Sequence, residues 1–507
     1  MEKLSRYLSS TLIFTSLISH SVLALDIFEA DRLFEKKQYK QALQEYSKAA
    51  QVGSPHAYYQ LGTIYHKGLD VSRDNISAYI WLSLAAEYGF SDSKKAASEI
   101  LELLTDTQKD NAKYILLSLK QKLGKEVIQS KYFPVLNQQN LNEKITFGGD
   151  GKLEITYQDT DLMLDSFDSF ESDAFYDDVS SFDNPDGEDA FSDAPQEAQT
   201  GTIRAPAQFI RKTPFLIVDY DVGPDGSIRN VTPVQKIGYS RTLQEKFMFN
   251  TFPAPNFKDT RVSFINRSYM GSATYSQFQM KDEYERLYDK LRRITKKLKI
   301  SEVPEDKYQY AMMLLTFTWL KQEDSEAIQL LKEVAESGHP LAQFEYGAKL
   351  YREQTDIQQG IHWISEASKY GLPKAEYLLA SILQNSPWVL NDEKKALYWY
   401  ESAAQKDHLA AQLKAAELQL LAIDTNLHDL TAANEYLQQL KESQRDNPEY
   451  YFLLAIAEKN RPNRDFKQVI NYVEEAIDLG EKFNWDVSYW QGLLEKWTTG
   501  SVYIVED

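Results

Sequence analysis

The residues of this 507-residue chain that are suited to chemistry are its seven histidines and its 75 aspartates and glutamates, since it contains no cysteine. The lack of cysteine excludes disulfides, thiolate metal sites and cysteine nucleophiles. The histidines are scattered, and the sequence contains no His-Glu-x-x-His zinc motif, P-loop, dinucleotide-binding Gly-x-Gly-x-x-Gly or nucleophile elbow. We therefore predict that the protein is not an enzyme and has no cofactor and no metal site.

Paired carboxylates are the one catalytic device that the sequence does not exclude, because acidic residues occur throughout it. Two carboxylates that flank a glycosidic bond can hydrolyse it. A cell-wall glycan hydrolase is therefore kept as a minor alternative, although no further compact domain remains to hold such a site.

Much of the acidity lies in one stretch of the chain. No lysine or arginine occurs from Glu154 to Ile203, whereas residues 159–197 contain fourteen carboxylates. Such a stretch repels itself, so residues 149–200 are predicted to form an extended, disordered segment, which we call the acidic linker. It also contains aromatic residues: Phe167, Phe170, Phe175, Tyr176, Phe182 and Phe191.

Three hypotheses describe the role of the acidic linker. In the first, the linker is a solvated spacer. In the second, it docks on a basic partner or on the chain's own basic stretch. In the third, its carboxylates bind calcium weakly. The basic stretch contains Lys290, Arg292, Arg293, Lys296, Lys297 and Lys299. The overall charge of -19, with a pI near 5.0, excludes a nucleic-acid partner bound through its phosphates.

A repeated pattern of small and aromatic residues indicates the elements that organise the chain. In each clear copy, small residues lie three, four and eleven positions before an end residue, and a tryptophan lies eight positions before it. The three copies are Trp81 with Gly89, Trp363 with Gly371, and Trp399 with Asp407. Looser copies end at Gly53, Gly338 and Gly480. These spacings share one helical face, and glycine is the residue expected to end a helix in the left-handed conformation.

A second helix is predicted after each of several stops. The joints read Gly-Ser-Pro-His-Ala from Gly53, Gly-His-Pro-Leu-Ala from Gly338 and Gly-Leu-Pro-Lys-Ala from Gly371. Proline at this point prevents the first helix from continuing, and the joint histidines, such as His339 and His408, are expected to be polar loop residues. The distance between Gly53 and Gly89 is 36 residues, which is typical of a helix-turn-helix solenoid.

These residues resemble the Sel1-like repeat, a relative of the tetratricopeptide repeat. The resemblance is carried by AYYQLGTIYHKG, SAYIWLSLAAEYG and ALYWYESAAQKDHLAA, and it extends over about residues 26–124 and 308–480. It implies a helical surface that binds proteins or peptides, and it implies no reaction. The repeat positions are interpreted as structural, with the tryptophans packing between repeats: Gly53, Trp81, Gly89, Gly338, Trp363, Gly371 and Trp399.

Between the helical blocks, the hydrophobic period changes to two. FLIVDYDV from Phe215 and SIRNVTPVQ from Ser227 are separated by a Gly-Pro-Asp-Gly turn, which predicts a hairpin. The helical segment SRTLQEKFMFNTF and a last alternating run, TRVSFINRSY from Thr260, follow. The sequence therefore predicts a small α+β module at residues 201–271.

This module resembles the C-terminal domain of TonB-type energy transducers. The resemblance is carried by FLIVDYDVGPDGSIRNVTPVQ and FMFNTFPAPNFKDTRVSFINRSY, although Phe249 and Phe252 stand where Trp-x-Phe is common. In that family the last strand receives a receptor peptide by strand addition. The resemblance implies a peptide-binding edge at Arg261, Ser263, Ile265, Arg267 and Tyr269. In the alternative interpretation, the helical solenoids cover this edge.

The first 24 residues are typical of a secretory signal peptide. Lys3 and Arg6 precede an apolar stretch from Leu8, and Val-Leu-Ala at positions 22–24 suits signal peptidase. The alternative is an uncleaved anchor, in which Ser16 and His20 reproduce a Ser-x-x-x-His spacing of the transducers. The stretch is short for a membrane span, so we expect cleavage, a periplasmic location and no span in the mature chain.

The sequence as a whole predicts a mainly α protein in which helix-turn-helix repeat solenoids flank the α+β module. The predicted order is a signal peptide at 1–24, helical repeats at 25–148, the acidic linker at 149–200, the α+β module at 201–271 and a helical solenoid at 272–507. The predicted function is that of a periplasmic scaffold for protein or peptide partners in the cell envelope. The main alternative is an accessory or atypical TonB-type transducer that serves an outer-membrane transport system.

Overall fold

The computed structural model describes residues 25–148 and 213–499, except residues 239, 322 and 324. The predicted signal peptide and the acidic linker lie outside these ranges. The described chain forms two compact units. The first unit combines residues 25–144 with 331–481 and 487–499, and the second combines the described residues 145–148 and 213–330 with 482–486.

The described residues are mainly helical, which confirms the predicted fold class. The N-terminal helices of the first unit are α1 Ile27–Glu35, α2 Tyr39–Ala50, α3 Pro55–Lys67, α4 Asn75–Ala86, α5 Ser93–Glu102, α6 Asp106–Leu123 and α7 Lys125–Tyr132. Its C-terminal helices are α13 Pro340–Arg352, α14 Ile357–Ser368, α15 Pro373–Asn385, α16 Glu393–Ala404, α17 Leu409–Leu421, α18 Leu430–Leu440, α19 Pro448–Lys459, α20 Phe466–Lys482 and α21 Ser488–Thr498. Within the described ranges, no helix has the length and apolar character that crossing a membrane requires.

The repeat helices end where the sequence predicts. The φ angles of Gly53, Gly89, Gly338 and Gly371 are 75°, 68°, 94° and 83°, all in the left-handed region. The next helix then begins with a side-chain cap, as where the Ser54 hydroxyl accepts the amide of Ala57. His339 and His408 cap their helices in the same way, because each ring Nδ1 accepts a main-chain N–H at 3.2 Å. These histidines are therefore helix caps.

Two of the predicted helix stops depart from the glycine pattern. Asp407 takes a φ of 60° without being glycine, a conformation that aspartate tolerates better than most residues. Gly480 lies inside α20, so that helix continues through the predicted stop. No proline follows Gly480 in the sequence, so continuation is sterically allowed, as it also is after Gly89, where the helix nevertheless ends.

Small residues allow paired helices to approach closely. A Cβ atom added to Gly347 in α13 would lie 2.9 Å from the carbonyl oxygen of Gly360 in α14. One added to Gly62 in α3 would lie 3.3 Å from the carbonyl oxygen of Ala78 in α4. Gly360 and Ala78 are the small residues eleven positions before the helix stops. In both of these helix pairs, their main chain lies against the glycine of the neighbouring helix.

The second unit contains the strands. These are β1 Thr146–Phe147, β2 Phe215–Val222, β3 Ile228–Ile237, β4 Pro255–Phe257, β5 Thr260–Arg261 and β6 Phe264–Gly271. The main antiparallel sheet has the order β3-β2-β6, and a smaller one has the order β1-β4-β5. The predicted hairpin is confirmed, since β2 pairs with β3. Its turn requires Gly226, because an added Cβ would lie 1.9 Å from the carbonyl oxygen of Phe252.

Helices accompany this sheet on both of its faces. They are α8 Arg241–Met248, α9 Gln277–Glu283 and α10 Glu285–Leu298. Helices α11 Pro304–Thr316 and α12 Glu326–Glu336 follow α10, and this stretch of the second unit ends within α12, at Leu330. On one face, Leu216 and Val218 of β2 pack with Leu243 and Phe247 of α8. On the other face, Phe215 and Ile217 pack with Met280 of α9, with Tyr288 and Leu291 of α10, and with Tyr284 between the two helices.

The second unit continues past residue 271, where the sequence predicts the end of the α+β module. Residues 272–330 belong to this unit because β2 is apolar on both faces. One face packs on α8, and the other packs on α9 and α10. The two helical blocks of the first unit also form one compact unit, whereas the sequence treated them separately.

Candidate functional site

An irregular segment after α7 is held by the C-terminal repeats within the first unit. Its main chain pairs with the joint between α15 and α16, where Leu136 and Val389 form an antiparallel bridge. The amide of Leu390 donates to the carbonyl of Val135 at 2.8 Å, and that of Asn137 donates to the carbonyl of Trp388 at 2.8 Å. We call residues 132–143 the internal strap.

Side chains of the repeats bind further main-chain oxygens of the internal strap. The indole N–H of Trp399 donates to the carbonyl of Tyr132 at 2.7 Å, and that of Trp388 donates to the carbonyl of Glu143 at 2.9 Å. The Lys395 ammonium donates to the carbonyl of Phe133 at 3.0 Å. Both tryptophans are fully buried. Because these hydrogen bonds are made to main-chain carbonyls, they can bind an extended segment largely independently of its sequence.

Aromatic packing adds to these hydrogen bonds. The ring of Phe133 is fully buried and lies 5.5 Å from that of Trp399. The rings of Tyr132 and Tyr398 lie 4.7 Å apart. Burial of a large aromatic side chain contributes roughly 1.5–3 kcal/mol, so Phe133 is the main side-chain anchor of the internal strap.

A buried ion pair holds the beginning of the described chain against the same repeats. The ammonium of Lys406 lies 2.5 Å from Oε2 of Glu376. It also donates to the carbonyls of Leu25 at 3.1 Å and Gly371 at 2.9 Å. Leu25 is fully buried, and the amide of Ile27 donates to the carbonyl of Tyr370.

The charges of this pair depend on each other. Burial raises the pKa of Glu376, although Lys406 and Ser402 act in the opposite direction. Burial lowers the pKa of Lys406, against the attraction of Glu376. Removal of either charge would therefore leave the other buried without compensation, which is costly in the protein interior.

Glu376 is an exception at its position in the repeat. It lies five residues after a helix stop, where the neighbouring repeats have Gln343 and Gln412. Both glutamines donate their side-chain amide to a main-chain carbonyl of the preceding helix, at 3.3 and 3.2 Å. A carboxylate has no N–H to donate, and Glu376 instead accepts from Lys406 and Ser402. With glutamate at this position, the contact to the preceding helix is replaced by the ion pair with Lys406, whose ammonium donates to the carbonyl of Leu25. We call these contacts the clamp on Leu25.

The predicted repeat tryptophans have different surroundings. Trp81 is 8% exposed and stacks on Tyr58 at 5.7 Å, and Trp399 is buried against the internal strap. Trp363 is only half-buried, with its ring 6.2 Å from that of Tyr346. Its indole N–H has no hydrogen-bond partner among the residues that the structure describes.

The predicted peptide-binding edge is divided between elements of the second unit. Arg261 ends β5, Ser263 lies in the connection, and Ile265, Arg267 and Tyr269 lie on β6. β6 is an edge strand of the main sheet. The guanidinium of Arg267 bonds both carboxylate oxygens of Asp219, at 2.6 and 2.8 Å, and its side chain is 7% exposed. Arg267 therefore stabilises the sheet through its cross-strand neighbour.

Several residues of the site were not found from the sequence. Trp388 lies outside the repeat spacing. Nothing local in the sequence indicates that Lys395 binds the carbonyl of Phe133, or that the side-chain amide of Asn140 binds the carbonyl of Pro387 at 2.7 Å. Glu376 did leave a signal, since it is a charged residue at a helix position where the neighbouring repeats bury Gln343 and Gln412. In the described ranges, no group of three or more His, Asp or Glu side chains is placed to hold a metal ion.

The family comparison agrees with the repeat geometry. The sequence matches the Sel1 repeat family at residues 55–90, 340–371 and 373–408. No curated protein matches the chain. A Sel1 repeat protein from Oxalobacter formigenes is 19% identical with a TM-score of 0.28, covering 38% of this chain and 88% of that one. A protective antigen of uropathogenic Escherichia coli with an SLR fold is 14% identical with a TM-score of 0.32, covering 92% of this chain and 72% of that one. Three segments of the chain are therefore similar to Sel1 repeats.

Proposed function

We propose that the protein is an exported, periplasmic scaffold that binds extended segments of cell-envelope proteins through its Sel1 repeats. The observation that carries the proposal is the internal strap, whose carbonyls accept hydrogen bonds from Trp388, Lys395 and Trp399. Repeats that hold one irregular segment by its main chain have the chemistry to hold another.

Trp363 is the proposed contact for the partner segment. It occupies the repeat position of Trp399, eight residues before a helix stop. Trp399 donates its indole N–H to the internal strap, whereas no described residue accepts the indole N–H of Trp363. The partner would supply a main-chain carbonyl as the acceptor and a side chain to pack on the exposed part of the ring.

A site-specific photo-crosslinker tests this function in cells. The crosslinking amino acid replaces His362, which is exposed beside Trp363, and a matched control carries it at exposed Lys94 on α5. We expect discrete adducts at position 362 that are absent at position 94. The adducts identify the partner, whose crosslinked segment is then made as a peptide for affinity measurement.

Two substitutions separate the indole N–H from the ring. Trp363→Phe keeps an aromatic ring and removes one donor, so the affinity for the peptide should fall roughly 2–12-fold, corresponding to about 0.5–1.5 kcal/mol. Trp363→Ala should weaken binding further. Affinities unchanged from the parent in both variants, or adducts no stronger at position 362 than at 94, would exclude this surface.

Export is tested separately by N-terminal sequencing of the protein from the periplasmic fraction. We expect the chain to begin at Leu25, directly after the predicted cleavage site. A protein that retains Met1 in the membrane fraction would contradict the periplasmic proposal and favour the anchored transducer.

The transducer remains the second candidate function because β6 is an edge strand, with β2 on one side only in the described sheet. The amide of Ser272 donates to the carbonyl of Pro214, so these two residues form a hydrogen-bonded pair just beyond the paired residues of β2 and β6. From there, hydrogen-bonded and non-hydrogen-bonded pairs alternate along the two strands. Ile265, opposite Asp221, thus directs its N–H away from β2. An added peptide strand would pair with this side of β6.

A further inference from the structure

Helix α10 of the second unit has one strongly basic face in an otherwise acidic protein. Its buried side is formed by Tyr288, Leu291 and Leu298. The opposite side carries exposed cations at successive spacings of four, three and four residues, which place them in one row along the helix. We call this row, with its neighbour Lys296, the basic stripe: Arg286, Lys290, Arg293, Lys296 and Lys297.

The proposal concerns what covers the basic stripe. We propose that the acidic linker of the same chain docks on it. Residues 159–197 supply fourteen carboxylates and no cation, which complements the stripe in charge. A segment tethered to the same chain is present at an effective concentration of order mM, which a free polyanion would have to match.

The place where the linker returns to the described fold supports docking within one chain. Residues 149–212 lie between Gly148 and Thr213, and both of these belong to the second unit. The carbonyl of Thr213 accepts a hydrogen bond from the hydroxyl of Tyr284, which is the N-cap residue of α10. The chain therefore re-enters the fold beside the first turn of the helix that carries the basic stripe.

The chain is long enough to run along the whole stripe. The 14 residues of α10 span about 21 Å at 1.5 Å per residue. The 16 residues from Glu197 to Thr213 can extend over roughly 50 Å. Carboxylates of the linker therefore reach both ends of α10 without strain.

Exposed apolar side chains near α10 offer contacts for the aromatic residues of the linker. Ile300 and Val303, just beyond the end of α10, are 82% and 55% exposed, and Phe278 on α9 is 78% exposed. Aromatic residues are unusual in an acidic solvated spacer. Packing of Phe175 or Phe182 on these side chains would give the docked state a contribution that salt does not screen.

The test uses energy transfer within the full-length mature chain. Because the protein has no cysteine, two introduced thiols are its only ones, and dyes are attached at Ser180→Cys in the linker and Asp282→Cys on α9. We expect high transfer efficiency in 50 mM NaCl and at least a twofold decrease in 500 mM NaCl, where the Debye length is only about 4 Å.

Charge-reversal variants locate the docking site. Arg293→Glu with Lys296→Glu and Lys297→Glu should reduce the efficiency as much as salt does. The matched control reverses three exposed lysines of the first unit and should retain the parent efficiency: Lys94, Lys113 and Lys122. Replacing six aspartates of residues 159–197 by asparagine leaves the folded residues untouched and should reproduce the loss.

Three results would overturn the proposal. They are an efficiency that salt does not change, an efficiency in the α10 reversal equal to that of the control reversal, and an efficiency that rises with protein concentration. The last result would assign the contact to a second copy of the chain, and the first two would leave the linker without a site on α10.

Discussion

The ion pair between Glu376 and Lys406 gives the most direct test of how the first unit is held together. We consider Glu376→Gln, which removes one negative charge and almost no volume. Glutamine fits this position in the repeat, since Gln343 and Gln412 occupy it in the neighbouring repeats. The substitution therefore changes the charge of a buried site and leaves its shape intact.

The expected magnitude follows from the contacts of Lys406. Its ammonium has one carboxylate partner at 2.5 Å and two main-chain carbonyls at 3.1 and 2.9 Å. Loss of one member of a buried pair costs about 3–5 kcal/mol. The two carbonyls remain as acceptors in Glu376→Gln, so we expect the lower end, about 3 kcal/mol.

Hydrogen exchange reports this loss locally. The amide of Ile27, which donates to the carbonyl of Tyr370, should exchange roughly 150-fold faster in Glu376→Gln than in the parent. Urea unfolding of the first unit, followed by tryptophan fluorescence, should show the same decrease in the free energy of unfolding.

Two further variants serve as controls. The double variant Glu376→Gln with Lys406→Met should recover part of the loss, because it leaves no uncompensated ion but removes the donor to the carbonyls of Leu25 and Gly371. Glu45→Gln breaks a half-buried pair with Lys48 in the same unit, which solvent still screens, and should cost less than about 1 kcal/mol. The reasoning is refuted if Glu376→Gln costs no more than Glu45→Gln, or if the double variant is as unstable as the sum of its single variants.

Three further predictions concern other positions. Gly371→Ala should destabilise the first unit by about 1–3 kcal/mol more than Gly89→Ala in urea unfolding. An added Cβ at Gly371 would lie 2.1 Å from the carbonyl oxygen of Leu25, whereas one at Gly89 would have no neighbouring atom within 4 Å. Equal losses would contradict the clamp on Leu25. Burial raises the pKa of Glu401 to about 7, so the folded state binds more protons than the unfolded state between about pH 4.5 and 7, and stability falls as the pH rises through that window. Glu401→Gln should therefore be more stable than the parent at pH 8 by about 1–3 kcal/mol and equal to it near pH 4, as measured by urea unfolding at both values; a constant difference would disprove the assignment. Ile265→Pro removes an N–H that points away from β2, so it should abolish capture of a transducer-type receptor peptide by β6 while lowering the melting temperature by only a few degrees, and undiminished capture would eliminate the edge as the site.

The helix joints could be predicted because each is decided within about five residues. Glycine supplies the left-handed φ, proline excludes continuation, and a serine or histidine caps the next helix, as at Gly53 and Gly338. Gly480, which has no following proline, shows that glycine alone is insufficient.

The contacts of the candidate site could not be predicted, because they join residues far apart in sequence. The position of Trp399 was predicted, but its acceptor on Tyr132 is 267 residues away. The sequence likewise gave no indication that Leu25 would lie against Gly371 and Lys406. In the second unit, the apolar run FLIVDYDV carried the relevant signal, since a strand without strict alternation needs cover on both faces.

The internal strap and the clamp on Leu25 also constrain the order in which the protein folds. Lys406 contacts Leu25 across 381 residues, and Trp388 contacts Glu143 across 245. Contacts of such high sequence separation form slowly, because the entropy of closing the loop opposes them until both ends are available. The N-terminal helices therefore emerge during synthesis long before their final partners, and we expect the first unit to reach its native packing only after α16 and the residues up to Lys406 are complete.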